Sequence, residues 1–124
     1  IYLYRIGIGF VGKDLVSLNK IPGWEPNSIG YHSDDGNIFI SKNIGDKYGP
    51  QYKDKDIIGC CIDYINKTVF FTKNGEKLKS VEFFSTEELF PAVSFRKKDQ
   101  EIRLNFGERD FIFDIRTYIN EKTK

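Results

Sequence analysis

A chain of 124 residues, 40% of them hydrophobic, has the size of one domain and buries roughly two-thirds of the surface that its unfolded state exposes. Nineteen Lys and Arg stand against 18 Asp and Glu, a balance that argues against the basic field of a nucleic-acid binder. No apolar run reaches the roughly 18 residues of a spanning helix and no signal-peptide pattern is present, so no membrane partner is expected. The 11 Phe, 7 Tyr and 1 Trp favour strands. The composition has no Met, which reads as an excised segment of a longer protein.

Taken in chain order, the first predicted strand is Tyr2–Phe10. It carries Gly7 and Gly9, which with Gly12 just beyond it have the Gly-x-Gly-x-x-Gly spelling of a dinucleotide-binding turn. That motif needs a strand before it, a helix opening at it and an acidic residue about 20 positions on. Asp34 and Asp35 lie near the right distance, but Lys13 to Lys20 offers at most two turns before Pro22-Gly23 and includes Val16, Ser17 and Asn19, poor helix formers. The competing reading places Gly7 and Gly9 in a strand that another backbone or a bulky ring approaches closely.

A long irregular stretch, Val11 to Ser28, follows and contains Trp24 behind the rigid Pro22-Gly23 turn. Strands are expected at Ile29–His32 and Asn37–Ser41, joined by Ser33-Asp34-Asp35-Gly36, where Asp and Asn accept local backbone bonds and Gly36 takes positive φ. His32 is the only histidine. With no positioned nucleophile nearby, it reads as an ordinary strand histidine rather than part of a catalytic system. The Asp-rich turn lacks calcium-loop spacing, and Cys and His are too few for zinc, so neither metal nor cofactor is expected.

Lys42 to Lys55 forms a second long loop; loops of this length on a β scaffold usually carry function. Strands then follow at Asp56–Tyr64, Lys67–Lys73 and Lys77–Phe83. Asn74-Gly75 supplies both positive-φ positions of a type I′ hairpin turn, and the three strands form a meander. Cys60 and Cys61 are adjacent and point to opposite faces of their strand, so they cannot bridge one another. Free thiols suit a reducing compartment, the cytoplasm or also the nucleus. Asn66-Lys67-Thr68 spells a glycosylation acceptor but reads as a turn.

One helical turn is expected at Ser85–Leu89, strands at Ala92–Phe95 and Glu101–Phe106, and a short C-terminal helix over 114–121 capped by Asp114, with Ile115, Tyr118 and Ile119 on one face. The expected class is therefore all-β, an antiparallel sandwich of one domain, 1–124, with a short C-terminal helix.

Ordered along the chain, Ile6-Gly7-Ile8-Gly9-Phe10, Leu18-Asn19-Lys20-Ile21-Pro22-Gly23-Trp24, Gly30-Tyr31-His32-Ser33-Asp34-Asp35-Gly36 and Tyr48-Gly49-Pro50 form the first half of a specific series. Asp56-Ile57-Ile58-Gly59-Cys60-Cys61-Ile62, Phe70-Phe71-Thr72-Lys73-Asn74-Gly75, Leu89-Phe90-Pro91-Ala92-Val93 and Asn105-Phe106-Gly107 complete it. Taken together they resemble a SPRY domain, of the subgroup found in Ran-binding-protein-M-like scaffold proteins. The resemblance runs from Ile6 to about Tyr118. It implies a bent β-sandwich without catalytic activity that binds short protein segments through loops at one end, in proteins often tied to a multi-subunit ubiquitin ligase.

The sequence departs from that pattern in two places. The strands ahead of the Gly-x-Gly-Phe segment are reduced to Ile1–Arg5, which would leave a sheet edge open. The loop Arg96–Gln100 is also more charged than in the subgroup.

On this resemblance the contact loops are Val11–Trp24, Lys42–Gln51 and Arg96–Gln100, expected near one end of the sandwich, with Lys20, Trp24, Tyr48, Arg96, Lys97 and Lys98 as contact residues. Trp24 reads equally as a plug and as a binding hot spot. Lys53, Lys55 and Arg96–Lys98 would attract an acidic peptide, or simply form solvated surface. Two other classes remain open: a nucleotide-binding enzyme using Gly7, Gly9 and Gly12, and a purely structural scaffold module.

Overall fold

The computed structural model describes residues 5–13, 21–95 and 101–122. Two antiparallel sheets pack face to face. The first carries β1 (Ile6–Gly12), β2 (Ile29–His32), β3 (Asn37–Ile40), β4 (Asp46–Lys47) and, across the gap in sequence, β9 (Leu89–Phe95), in the order β4-β3-β2-β1-β9. The second carries β5 (Ile58–Asp63), β6 (Thr68–Lys73), β7 (Glu76–Lys77) and β8 (Val81–Glu82), with β5 on one side of β6 and both β7 and β8 on the other. Helix α1 (Ile115–Lys122) follows. The all-β antiparallel sandwich with one short C-terminal helix is the class expected from the sequence.

Strand alternation builds the core. Ile29 and Tyr31 of β2 and Ile38 of β3 point inward and meet Val69 and Phe71 of β6, with Tyr52 between the sheets. Ile6, Ile8 and Phe10 of β1 and Ile58, Cys60 and Ile62 of β5 pack against that cluster. Tyr31 is fully buried and lies 4.8 Å from the Tyr52 ring, 5.3 Å from Tyr48 and 5.4 Å from Phe71. Cys60 therefore sits in the core, where burial pushes its thiol up to about 12. Cys61 turns to the opposite face, and both cysteines are free.

Each outer face is covered by a segment of the same chain. On the first sheet, Ile21–Glu25 lies across β1 and β2. On the second, Phe113 and Tyr118 cover the ring of Phe70, with centroids 5.5 and 4.9 Å away. The Tyr118 hydroxyl donates to Asp63 at 3.0 Å, which ties α1 to the end of β5. Asp114 caps the helix, accepting from the Thr117 amide at 3.1 Å.

Local turn chemistry follows the expectations. Asn74 and Gly75 take φ of 52° and 87°, closing the β6–β7 hairpin. Asp63 accepts the amides of Ile65 and Asn66 and shapes the turn that holds the Asn-Lys-Thr triplet. Between the Phe71–Leu78 bond and the Val69–Val81 pair, the returning strand carries one residue more than β6. This bulge splits the expected strand Lys77–Phe83 into β7 and β8.

Four expectations are corrected. Glu101–Phe106 is not a strand: Asn105 accepts the amides of Gly107 and Arg109 through its side chain, and Leu104 and Phe106 are exposed. The side chain offers the backbone a turn, and no described strand pairs with the segment. Ser85–Leu89 is not a helical turn, because the Ser85 hydroxyl takes the Glu87 amide at 3.0 Å and Leu89 already opens β9. β9 thus begins three residues earlier than expected and includes Pro91, tolerated because the described residues place a partner strand only on its β1 side. β4, two residues inside the second long loop, is too short to leave a periodic signal.

Candidate functional site

The outer face of the first sheet is built on glycine. Gly9 pairs with Gly30, and Gly7 with His32. With no side chain at these positions, the sheet accepts another stretch of backbone at close range. A Cβ on Gly30 would run into the Pro22 carbonyl, and one on Gly9 into the carbonyl of Ile29. A Cβ on Gly7 would lie 3.2 Å from Ile21. The glycine spelling therefore records close approach. β1 also lies between β2 and β9, so its backbone groups are engaged in two ladders and do not form a phosphate cradle.

Onto this face folds the turn Ile21–Trp24, closed by the Trp24 amide bonding to Ile21 and by Gly23 at a φ of 106°. Ser28 fixes it from below, accepting from the Gly23 amide at 3.1 Å and donating to the Glu25 carbonyl. His32 Nε2 donates to the Pro22 carbonyl at 2.8 Å; because a carbonyl only accepts, that nitrogen carries the proton. The imidazole is 1% exposed and stacks on Phe39 with centroids 4.0 Å apart.

Trp24 leans on this pair, 6.1 Å from His32 and 6.3 Å from Phe39. The Arg5 guanidinium sits over the indole at 5.7 Å, while its Nε donates to Asp34 at 2.9 Å. Trp24 Nε1 and Glu25 Oε1 are buried with no hydrogen-bond partner among the described residues. Trp24 is thus both the plug of the face and, being partly exposed, an element of its surface.

Burial holds the His32 pKa below its ordinary 6.5, outweighing the bond to Pro22 and the nearby Asp35 and Asp34. A histidine depressed in the folded state favours folding fully above its unfolded pKa, and that contribution is lost as pH falls through the folded value. The chain is expected to lose stability as pH drops below 6.5, and a His32→Gln variant to show a flatter profile between pH 7 and 5. Urea midpoints measured across that range check this, and parallel profiles would contradict it.

The other expected contact residues are placed differently. Tyr48 lies between the sheets, on the opposite side of the first sheet from Trp24. Its hydroxyl donates to the Lys79 carbonyl at 2.6 Å and accepts the Phe71 amide at 3.0 Å, and burial raises its pKa to about 12. The structure does not bring Tyr48 and Trp24 onto one patch. Lys20, Arg96, Lys97 and Lys98 lie outside the described residues.

Register sets where the chain leaves the two paired strands. Gly12 pairs with Leu89 and Ile6 with Phe95, so the loops after β1 and after β9 leave from opposite ends of that pair. Only the returning arm of the first loop, Ile21–Trp24, comes back beside Arg5. Arg5, Asp34 and Phe39 complete the face; Arg5 and Phe39 were not singled out from the sequence, and Asp34 only as part of the dinucleotide motif and of a turn. The Arg5–Asp34 pair spans 29 positions with no local signal. Among the described residues no group of His, Cys, Asp and Glu could hold a metal, and no helix is long and apolar enough to cross a membrane.

Residues 4–109 match the model of the family described as SPRY domain. The chain is similar to Ran-binding protein 9 of Homo sapiens, 40% identical over 116 residues, which cover 94% of this chain and 16% of that protein. It is equally similar to Ran-binding protein 10 of Danio rerio, at 40% over 94% of this chain and 19% of the relative. The Ran-binding protein M homolog of Arabidopsis thaliana is 38% identical over 92% of the chain and 24% of its own length. The chain spans less than a quarter of each of these three relatives. Among solved structures, a human SPRY domain aligns with a TM-score of 0.64 and 33% identity, covering 73% of this chain and 67% of that one.

Proposed function

The chain belongs to the SPRY domain family, a protein-interaction fold, and from that premise we propose that it is a non-catalytic module binding short extended segments of partner proteins. The observation that carries this reading is the outer face of the first sheet. There a partly exposed Trp24 lies under the Arg5 guanidinium on a base of His32 and Phe39. Rings of this kind concentrate binding energy. Lys20, Arg96, Lys97 and Lys98 are proposed to add charge at the rim. Tyr48 is proposed to act at most by holding the second loop, since both of its hydroxyl bonds are made within the fold.

The resemblance extends the proposal to an adaptor or scaffold protein linked to ubiquitin-ligase assembly, working in the cytoplasm and also the nucleus. Peptide-library binding tests the site. Trp24→Ala is expected to weaken selected peptides by roughly 30-fold, the effect of losing a hot-spot ring, and Arg96→Glu by a smaller factor. Unchanged binding by both folded variants would sink the assignment. NAD and ATP are expected to leave the melting temperature where it is; strong stabilisation by either would favour the enzyme reading, because a ligand of the native state raises its stability.

A further inference from the structure

Asn74-Gly75, which closes the β6–β7 hairpin, has a chemical liability that its turn geometry makes hard to shed. A side-chain carboxamide is most open to attack by the next backbone nitrogen when glycine follows, since glycine has no side chain to screen that nitrogen. Both residues hold positive φ, 52° and 87°, as a two-residue hairpin turn of this type requires. A Cβ on Gly75 would also lie 2.5 Å from Ile112 Cγ2.

Asn74 is exposed, yet both ends of its carboxamide are engaged. Oδ1 accepts the Ile57 backbone amide at 2.8 Å, and Nδ2 donates to Asp56 Oδ1 at 3.0 Å. The Asn74 backbone amide donates to the Ile57 carbonyl at 2.7 Å. Asp56 in turn accepts the Lys53 amide at 2.9 Å through its other oxygen, and Lys73 Nζ stands 3.8 Å from Oδ1. These bonds clamp the hairpin turn to the entry of β5, 17 and 18 positions away. The bond from the Asn74 carboxamide is the largest of the causes that hold the Asp56 carboxyl below its ordinary range, so the clamp is built on an ionised carboxylate.

We propose that Asn74 is a spontaneous deamidation site, gated by this clamp, whose product opens the clamp irreversibly. The Gly75 nitrogen bonds to Asn74 Cγ, the Cγ–Nδ2 bond breaks, and the Gly75 amide proton leaves with Nδ2 as ammonia. Water then adds to one or other carbonyl of the cyclic imide and gives aspartate or isoaspartate. No oxidant or cofactor enters. To meet Gly75, Cγ must turn away from Asp56 and Ile57, so the folded chain reacts only through local opening.

Either product undoes the clamp. Aspartate still accepts the Ile57 amide but has lost the donor to Asp56, and it sets a second carboxylate against the first. Isoaspartate runs the main chain through the former side chain, one methylene longer, which breaks the two-residue turn. A chain that has spent time open thus keeps a covalent record of it.

A time course of the 124-residue chain in mildly alkaline buffer tests this, with the mass increment and isoaspartate read on the peptide that carries residue 74. The urea-unfolded chain is expected to react there, and the folded chain roughly a hundredfold more slowly, as for a site that needs local opening. Folded Asp56→Ala is expected to react roughly tenfold faster than folded wild type, the effect of losing one hydrogen bond to a charged group. Asn74→Asp, which reproduces one product, is expected to lower the urea midpoint. Adding Asp56→Asn to it exchanges donor and acceptor and should recover most of the loss.

No reaction at residue 74 in the unfolded chain would overturn the site. Equal rates in folded and unfolded chains, or a wild-type rate in folded Asp56→Ala, would overturn the gating. An unchanged midpoint in Asn74→Asp, or no recovery in the double variant, would overturn the opening of the clamp by the product. None of these readouts depends on partner binding, so they leave the Trp24 face to its own test.

Discussion

Gly30→Ala is expected to destabilise the chain by about 3 kcal/mol, the cost of forcing atoms into a filled site, and to lower its melting temperature by roughly 10 °C. The added Cβ would collide with the Pro22 carbonyl, and Pro22 Cβ lies 3.2 Å away. Backbone cannot step aside as the end of a flexible side chain can. The turn must therefore lift off the sheet, carrying the His32 bond and Trp24 with it. Trp24 is the chain's only tryptophan, so a red shift in its fluorescence reports that movement directly.

Gly107→Ala is the control. Gly107 has a φ of 110° and nothing within 4 Å of the added atom, so its cost is conformational alone, about 1 kcal/mol. Equal urea midpoints for Gly30→Ala and wild type would show that the turn does not press on the sheet.

Phe70→Ala and Phe71→Ala are each expected to cost about 3 to 5 kcal/mol, the range for emptying a buried aromatic site, but with different structural consequences. Both residues are fully buried. Phe71 faces the core and meets Tyr31 and Tyr48. Phe70 faces outward, under Phe113, Tyr118 and the Lys77 ammonium 4.7 Å from its ring.

Helix α1 has eight residues and none of them is buried. A helix this short does not persist unsupported, and the Phe70 ring is the surface on which it rests. Helical chemical shifts over Ile115–Lys122 are expected to collapse in Phe70→Ala and to survive in folded Phe71→Ala. The same response from both variants would mean that α1 is held by something other than Phe70.

Legibility followed the range of the interactions. Asn74-Gly75, Gly36 and Asp114 act on neighbours within a few positions, and their turns and cap were readable from the sequence. β2 agreed with its expected bounds residue for residue, because the turn before β3 is dictated by Asp35 and Gly36. Glu101–Phe106 has the composition of a strand but not the outcome. Strand propensity is realised only against a partner, and partners are chosen by the whole sheet. Where a loop leaves the sheet was not legible for a related reason: it depends on the β1–β9 pairing, which joins residues more than 75 positions apart.

Taken alone, the sequence determined the class, because aromatic and β-branched runs punctuated by turn residues bury well only as packed antiparallel strands. It also determined that Cys60 and Cys61 point apart, since strand periodicity requires it. It offered the glycines of β1 two meanings and could not choose between them. Tertiary structure decided that Gly30 clears a path for Pro22 and Gly9 for the Ile29 carbonyl, that Trp24 and Tyr48 fall on opposite sides of one sheet, and that Arg5 reaches Asp34 through one carboxylate oxygen. Each of these is a contact between distant positions. Burial and the exclusion of water select such contacts only once the sheets have closed on each other.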